Sequence, residues 1–137
     1  MHLIYVASPY TDQDNEVVAV RVRLVEEFVT QGLAMGHIAF SPVVYGHSLS
    51  KKWNLPPGFD FWRHFNLYML SISLDMVVLC IPGWKGSVGV RTEIEYAQDS
   101  KKRVILANPQ DLGPGYREFC QKFWSHYDAM DRFGYNQ

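Results

Sequence analysis

An α/β protein built on an open, doubly wound parallel sheet is predicted by three observations. Short apolar, β-branched runs alternate along the chain with helix-length stretches of mixed polarity. The run Asp75-Met76-Val77-Val78-Leu79-Cys80-Ile81 is apolar throughout after its aspartate, which is expected of a central strand buried on both faces. Near the N-terminus the order strand, helix, strand calls for a parallel pair joined by a crossover.

The elements follow in order. Leu3 to Ala7 is a first strand, closed by the turn residues Ser8-Pro9-Tyr10-Thr11. Asp12 or Asp14 caps a helix whose apolar stripe runs through Val17, Val18, Val20, Leu24, Val25, Phe28 and Val29 and ends near Gly32 or Gly36. His37 to Ser41 is a second strand, stopped by Pro42. Residues 43–58 carry Gly46, Pro56, Pro57 and Gly58 without a sustained period and read as a long loop, a lid or substrate wall or a plain excursion. A helix spans Phe59 to Leu74, the central strand follows, and Pro82-Gly83 closes it. Val90 to Gln98 is a further helix, Val104 to Ala107 a fourth strand and Tyr116 to His126 an aromatic-rich helix; the tail from Met130 to Gln137 is ambiguous. The 137 residues fit one domain, 1–137. Its expected form is Rossmann- or flavodoxin-like, a sheet of about four to five strands with helices on both faces.

Composition narrows the function classes. Hydrophobic residues are 47% and aromatic residues 15% of the chain, enough apolar surface to exclude wholesale disorder. Thirteen Lys and Arg against fourteen Asp and Glu give a net charge of −1, so no general attraction to a nucleic acid polymer or an anionic membrane follows. Cys80 and Cys120 have neither disulfide-scaffold density nor metal-ligand spacing, and His37 and His64 lack a carboxylate at metal spacing; no metal site and no cofactor is called for. No basic n-region, signal-length apolar core or membrane-length run occurs, which points to the cytoplasm and to no membrane partner.

In a sheet of this kind ligands bind beyond the carboxyl ends of the strands, where the strand order reverses. Two loops are expected to meet there: Ser8 to Thr11, with Ser8 and Tyr10, and Pro82-Gly83-Trp84-Lys85-Gly86-Ser87-Val88-Gly89. The second leads into a helix, so the amides near Ser87, Val88 and Gly89 are free donors at a positive dipole end, and Gly83, Gly86 and Gly89 permit close approach. That suits a phosphate or sugar hydroxyl; it also suits a plain tight turn with a serine cap. Lys85 is placed to add charge, whereas Arg91 faces elsewhere on the helical wheel. Trp84 is suited either to stacking on a base or to packing against the 43–58 stretch, and His47 either to a ligand or to solvent. Glu93 falls four residues after Gly89, on the same helix face, where the dipole is expected to hold its carboxylate anionic. It is either a carboxylate that attacks or stabilises an electron-poor sugar carbon, or a solvated charge at a helix start.

Ser87-Val88-Gly89-Val90-Arg91-Thr92-Glu93-Ile94-Glu95-Tyr96-Ala97 resembles the S-x-G-x-x-x-E-x-x-x-A segment of the nucleoside 2-deoxyribosyltransferase-like superfamily, which includes N-glycosidases. Ile4-Tyr5 resembles the I-Y pair of its first strand, and Asp75-Met76-Val77-Val78 its central strand. Tyr5 to Tyr10, Ser41 to Tyr45 and Trp84-x-x-Ser87-x-Gly89 are similar, more closely, to a small bacterial and phage branch known mainly as a domain of unknown function. The resemblance implies an N-glycosidic bond as target, with Glu93 the catalytic nucleophile, Tyr5 orienting it and Ser87 helping to bind a 5′-phosphate. It also implies a homo-oligomer in which a neighbour completes the pocket, and the aromatic residues between 116 and 135 would suit an interface. One position departs: Leu67 stands eight residues before Asp75, where the superfamily carries an aspartate, with Asn66 beside it. Three functions therefore compete: an N-glycosidase or deoxyribosyltransferase acting on a nucleoside or nucleotide, a nucleotide-binding module that does not cleave, and a scaffold.

Overall fold

The computed structural model describes residues 1–132. Four strands, β1 (Leu3–Ala7), β2 (Ile38–Phe40), β3 (Asp75–Leu79) and β4 (Arg103–Ala107), form one sheet in the order β2-β1-β3-β4. All three pairings are parallel, with Tyr5 opposite Phe40 and Met76, and Val77 opposite Ile105. Five helices surround the sheet: α1 (Asn15–Ala34), α2 (Pro42–Trp53), α3 (Phe59–Ser71), α4 (Val88–Asp99) and α5 (Tyr116–Arg132). This is the doubly wound α/β arrangement expected of the sequence. Its order reverses between β1 and β3, because the chain leaves β1 toward one edge and β3 toward the other.

The period-2 alternation of each strand divides the core in two. Ile4, Val6, Val77, Leu79 and Ile105 point to one face, where they pack on Leu24, Val25 and Phe28 of α1 and on Tyr116, Cys120, Phe123, Trp124 and Tyr127 of α5. Tyr5, Ala7, Met76, Val78 and Val104 point to the other, against Leu70 of α3 and Val90 and Ala97 of α4. The aromatic residues of α5 are thus core rather than the interface expected of them. Their polar ends are used internally: Trp124 Nε1 donates to the Phe28 carbonyl at 2.8 Å and the Tyr116 hydroxyl to the Leu24 carbonyl at 2.6 Å. The tail expected to be ambiguous begins as helix, since α5 runs to Arg132; the rest of it lies outside the described residues.

At the amino end of the sheet Asp75, 2% exposed, accepts from Arg103 Nη2 at 2.5 Å, from Arg103 Nε at 3.2 Å and from the Tyr127 hydroxyl. Arg103 also donates to the Met130 carbonyl, so this buried group ties two strands to α5.

The largest correction concerns residues 43–58. Most of this stretch is α2, which Ser41 caps by accepting from the Val44 amide, with Pro42 at the first helical position and Asn54 ending it in the left-handed region at φ 58°. Serine followed by proline is a helix-start signature, and it outweighs the weak apolar period that suggested a loop. Only residues 54–58 connect α2 to α3.

Candidate active site

Beyond the carboxyl ends of β1 and β3 the elements enclose a cleft of about 60 Å³. The β1–α1 loop supplies Ser8, Tyr10 and Thr11; α2 supplies Val43, Gly46 and His47; α3 and the segment before it supply Pro57, Phe59, Trp62 and Asn66. The start of α4 supplies Ser87, Gly89, Val90 and Glu93.

Glu93 is the chemical centre of this cleft. It sits on the second turn of α4, 4% exposed, and its Oε2 accepts from the Tyr5 hydroxyl at 2.5 Å. Tyr5 reaches it because the alternation of β1 turns odd-numbered residues toward α4. Burial pushes the Glu93 carboxyl up to about 7, against the opposing pull of hydrogen bonding from Tyr5 and Asn66, which favours the charged form. The expectation that the helix dipole holds this carboxylate fully anionic is therefore corrected. A helix terminus supplies about 0.3–1 kcal/mol, whereas a rise from 4.5 to about 7 corresponds to about 3 kcal/mol; desolvation wins. Burial and the neighbouring carboxylate raise Tyr5, so the phenol keeps its proton and remains a donor. Glu95, on the same helix, is exposed.

Ser87 caps α4 by accepting from the Val90 amide, which leaves its own proton free to donate. The amides of the first turn precede any intrahelical acceptor and add positive character. A Cβ at Gly89 would lie 3.1 Å from the Phe59 ring, so glycine is what lets α4 and α3 close together here.

The opposite wall is built partly from the 43–58 stretch, which the sequence left open between a substrate wall and a plain excursion, and from Tyr10. The Tyr10 hydroxyl pairs with Nδ1 of His47 at 2.8 Å, and burial, followed by the charge of Lys51, lowers the His47 imidazole. Reading α2 as a helix from its Ser41-Pro42 start puts Val43 and His47, both of which line the cleft, on one helix face. Asn66, 7% exposed, enters the cleft from α3, while its neighbour Leu67 packs into the core beneath. Arg21 was also missed: its guanidinium donates to the carbonyls of Thr11 at 2.8 Å, Tyr10 at 3.4 Å and Pro82 at 3.4 Å, clamping the two site loops.

Of the residues expected at the site, Tyr5, Ser8, Tyr10, Ser87, Gly89 and Glu93 come together. Gly83, Trp84 and Lys85 do not. Gly83, at φ 99°, turns the chain into a short 3₁₀ turn, Trp84–Gly86, that leans toward Pro109, Gln110 and Leu112 beyond β4. There the Lys85 ammonium lies over the Trp84 ring, 5.7 Å from its centroid. The Val88 side chain, 61% exposed, stands outside the cleft, leaving only its backbone in question. Among the described residues no cluster of three or more His, Cys, Asp or Glu could hold a metal ion, and no helix is long and apolar enough to cross a membrane.

No curated protein matches the chain. The family model of a domain of unknown function, DUF1937, matches residues 2–108. That span runs from the first strand through the fourth and takes in both site loops, His47, Asn66 and Glu93, and the chain belongs to this family.

Proposed function

We propose that the chain cleaves or exchanges the N-glycosidic bond of a nucleoside or nucleotide through a glycosyl intermediate on Glu93. The observation that carries this reading is the buried Glu93 carboxylate, gripped by Tyr5 and facing a cleft at the switch point of the sheet. In the first step a Glu93 oxygen bonds to C1′ while the bond from C1′ to the base nitrogen breaks; the electron pair leaves with the base, which takes up a proton from solvent. In the second, water attacks C1′, the bond to Glu93 breaks, its electrons return to the carboxylate and the water gives up a proton. A second base in place of water makes the reaction an exchange. The titratable groups lining the opposite wall are Tyr10 and His47. Ser87 and the first amides of α4 suit a 5′-phosphate.

Only the ionised carboxylate attacks, so the rate rises with pH through about 7 and falls about tenfold per unit below it. The cleft, at about 60 Å³, is smaller than the roughly 300 Å³ or more of small-molecule sites, so this reading requires the cleft to widen as a nucleotide enters. The reading includes a homo-oligomer, for whose interface we offer the exposed side chains Tyr68 and Ile72, 65% and 54% exposed and one helical turn apart.

The test is incubation with a panel of ribo- and deoxyribonucleosides and their 5′-monophosphates, followed by detection of free base. Release by the native chain and its loss in Glu93→Gln are expected. One observation favours a second reading: Asn66 and Leu67 offer no acid at the α3 wall. A nucleotide-binding protein that does not cleave is then stabilised by ligand while releasing no base from any member of the panel.

A further inference from the structure

Among the described residues, three buried side-chain polar atoms have no hydrogen-bond partner, and two of them, Ser8 Oγ and Asn66 Oδ1, belong to residues lining the Glu93 cleft. Both residues are more than nine-tenths buried, at 6% and 7% exposed. Leaving such an atom unpaired in the folded protein costs stability, so a ligand that completes it gains what the empty cleft forgoes.

The chemistry of these two atoms restricts that ligand. An amide oxygen only accepts, so Asn66 Oδ1 calls for a donor; Ser8 Oγ can take one or give one. Their position restricts it further. Asn66 and Glu93 line the same cleft, and hydrogen bonding from Asn66 is among the influences that favour the charged form of Glu93. C2′ is bonded to C1′, so a sugar whose C1′ sits over Glu93 carries its 2′ substituent to the groups beside that carboxylate, Asn66 among them.

We propose that the cleft selects ribosyl substrates over their 2′-deoxy counterparts, the 2′-hydroxyl donating to Asn66 Oδ1 with Ser8 Oγ completing the hydroxyl edge of the sugar. The proposal rests on the glycosidic reading of Glu93 and adds the class of sugar. A 2′-deoxy sugar presents only C–H to these oxygens and leaves them unpaired. Sites built to hydrogen-bond a substrate hydroxyl reject the analogue lacking it far more strongly than apolar pockets reject a missing methylene.

The experiment compares matched pairs, each ribonucleoside 5′-monophosphate against its 2′-deoxy form for four bases, by base release. The same pairs, with ribose 5-phosphate against 2-deoxyribose 5-phosphate, are compared by calorimetric binding to Glu93→Gln, so that preference is read without turnover. A preference for the ribosyl member of about a hundredfold in kcat/KM, or about tenfold in binding, is expected. Asn66→Ala and Ser8→Ala, checked for folding by thermal melting, are expected to shrink that ratio at least tenfold together. Equal or better use of the 2′-deoxy member overturns the sugar assignment and leaves the glycosidic reading standing. A ribosyl preference that survives both substitutions overturns the role given to Asn66 and Ser8. If no member of any pair is bound or cleaved, the glycosidic reading itself falls, and the sugar assignment with it.

Discussion

Replacing Glu93 with glutamine should stabilise the protein at alkaline pH and do so less and less as pH falls. The reason is linkage between burial and protonation. In the unfolded chain the carboxyl titrates near its ordinary 4.5, and in the folded chain near 7. Between those values the folded state binds more protons than the unfolded state, so stability declines as pH rises through the window. Each unit is worth about 1.4 kcal/mol, and the full penalty above pH 8 is about 3 kcal/mol. Between pH 5 and pH 8.5 the part still to be lost is about 2–3 kcal/mol, because at pH 5 the unfolded carboxyl has already begun to ionise. Glutamine carries no charge, keeps nearly the same volume and still accepts from the Tyr5 hydroxyl. The assay is urea unfolding of both proteins at pH 5 and pH 8.5, reading the difference between the two proteins at each pH so that other titrating groups cancel. The advantage of Glu93→Gln should grow by about 2–3 kcal/mol from the lower to the higher pH. A constant difference, or one that shrinks with rising pH, would refute the claim that desolvation dominates at this carboxyl.

Other substitutions probe the frame around the site. In Gly32→Ala the new Cβ falls 2.8 Å from Cε2 of the buried Trp124, whose indole is already fixed by its bond to Phe28, so overpacking should exceed the helix-propensity gain and cost about 1–2 kcal/mol net. Denaturant midpoints at unchanged slope measure it, and a variant as stable as the native chain would show that Trp124 gives way freely. Asp75→Ala removes the acceptor that Arg103 and Tyr127 share beneath α5 and should cost about 3 kcal/mol or more; a loss under 1 kcal/mol would mean that the cluster is not what docks α5. Glu introduced at Tyr68 and Ile72 together should convert the proposed oligomer to a monomer by light scattering without lowering the melting temperature appreciably. An unchanged mass would move the interface elsewhere.

Much of the arrangement was determined by sequence alone. Strand alternation, the fully apolar run after Asp75 and the helix between Asp14 and Gly36 specify a parallel α/β sheet, because periods of 2 and 3.6 are local properties that the chain cannot disguise. The same local signals placed Ser8 and Tyr10 after the first strand and Ser87, Gly89 and Glu93 at a helix start, whereas Tyr5 was expected at the site only through the family resemblance. Only tertiary structure decided the rest. Whether Glu93 is ionised depends on what covers it, and that is set by β1, α3 and α4 closing together rather than by its neighbours in sequence. His47, Asn66 and Arg21 reach the site from elements distant in the chain, so no spacing rule links them to Glu93 or to one another. Gly83, Trp84 and Lys85, adjacent to Ser87 in sequence, are carried away by a positive φ at a single glycine. A side chain's neighbours along the chain set its local geometry, whereas its charge and its ligands follow from burial and long-range packing, which are properties of the assembled layers.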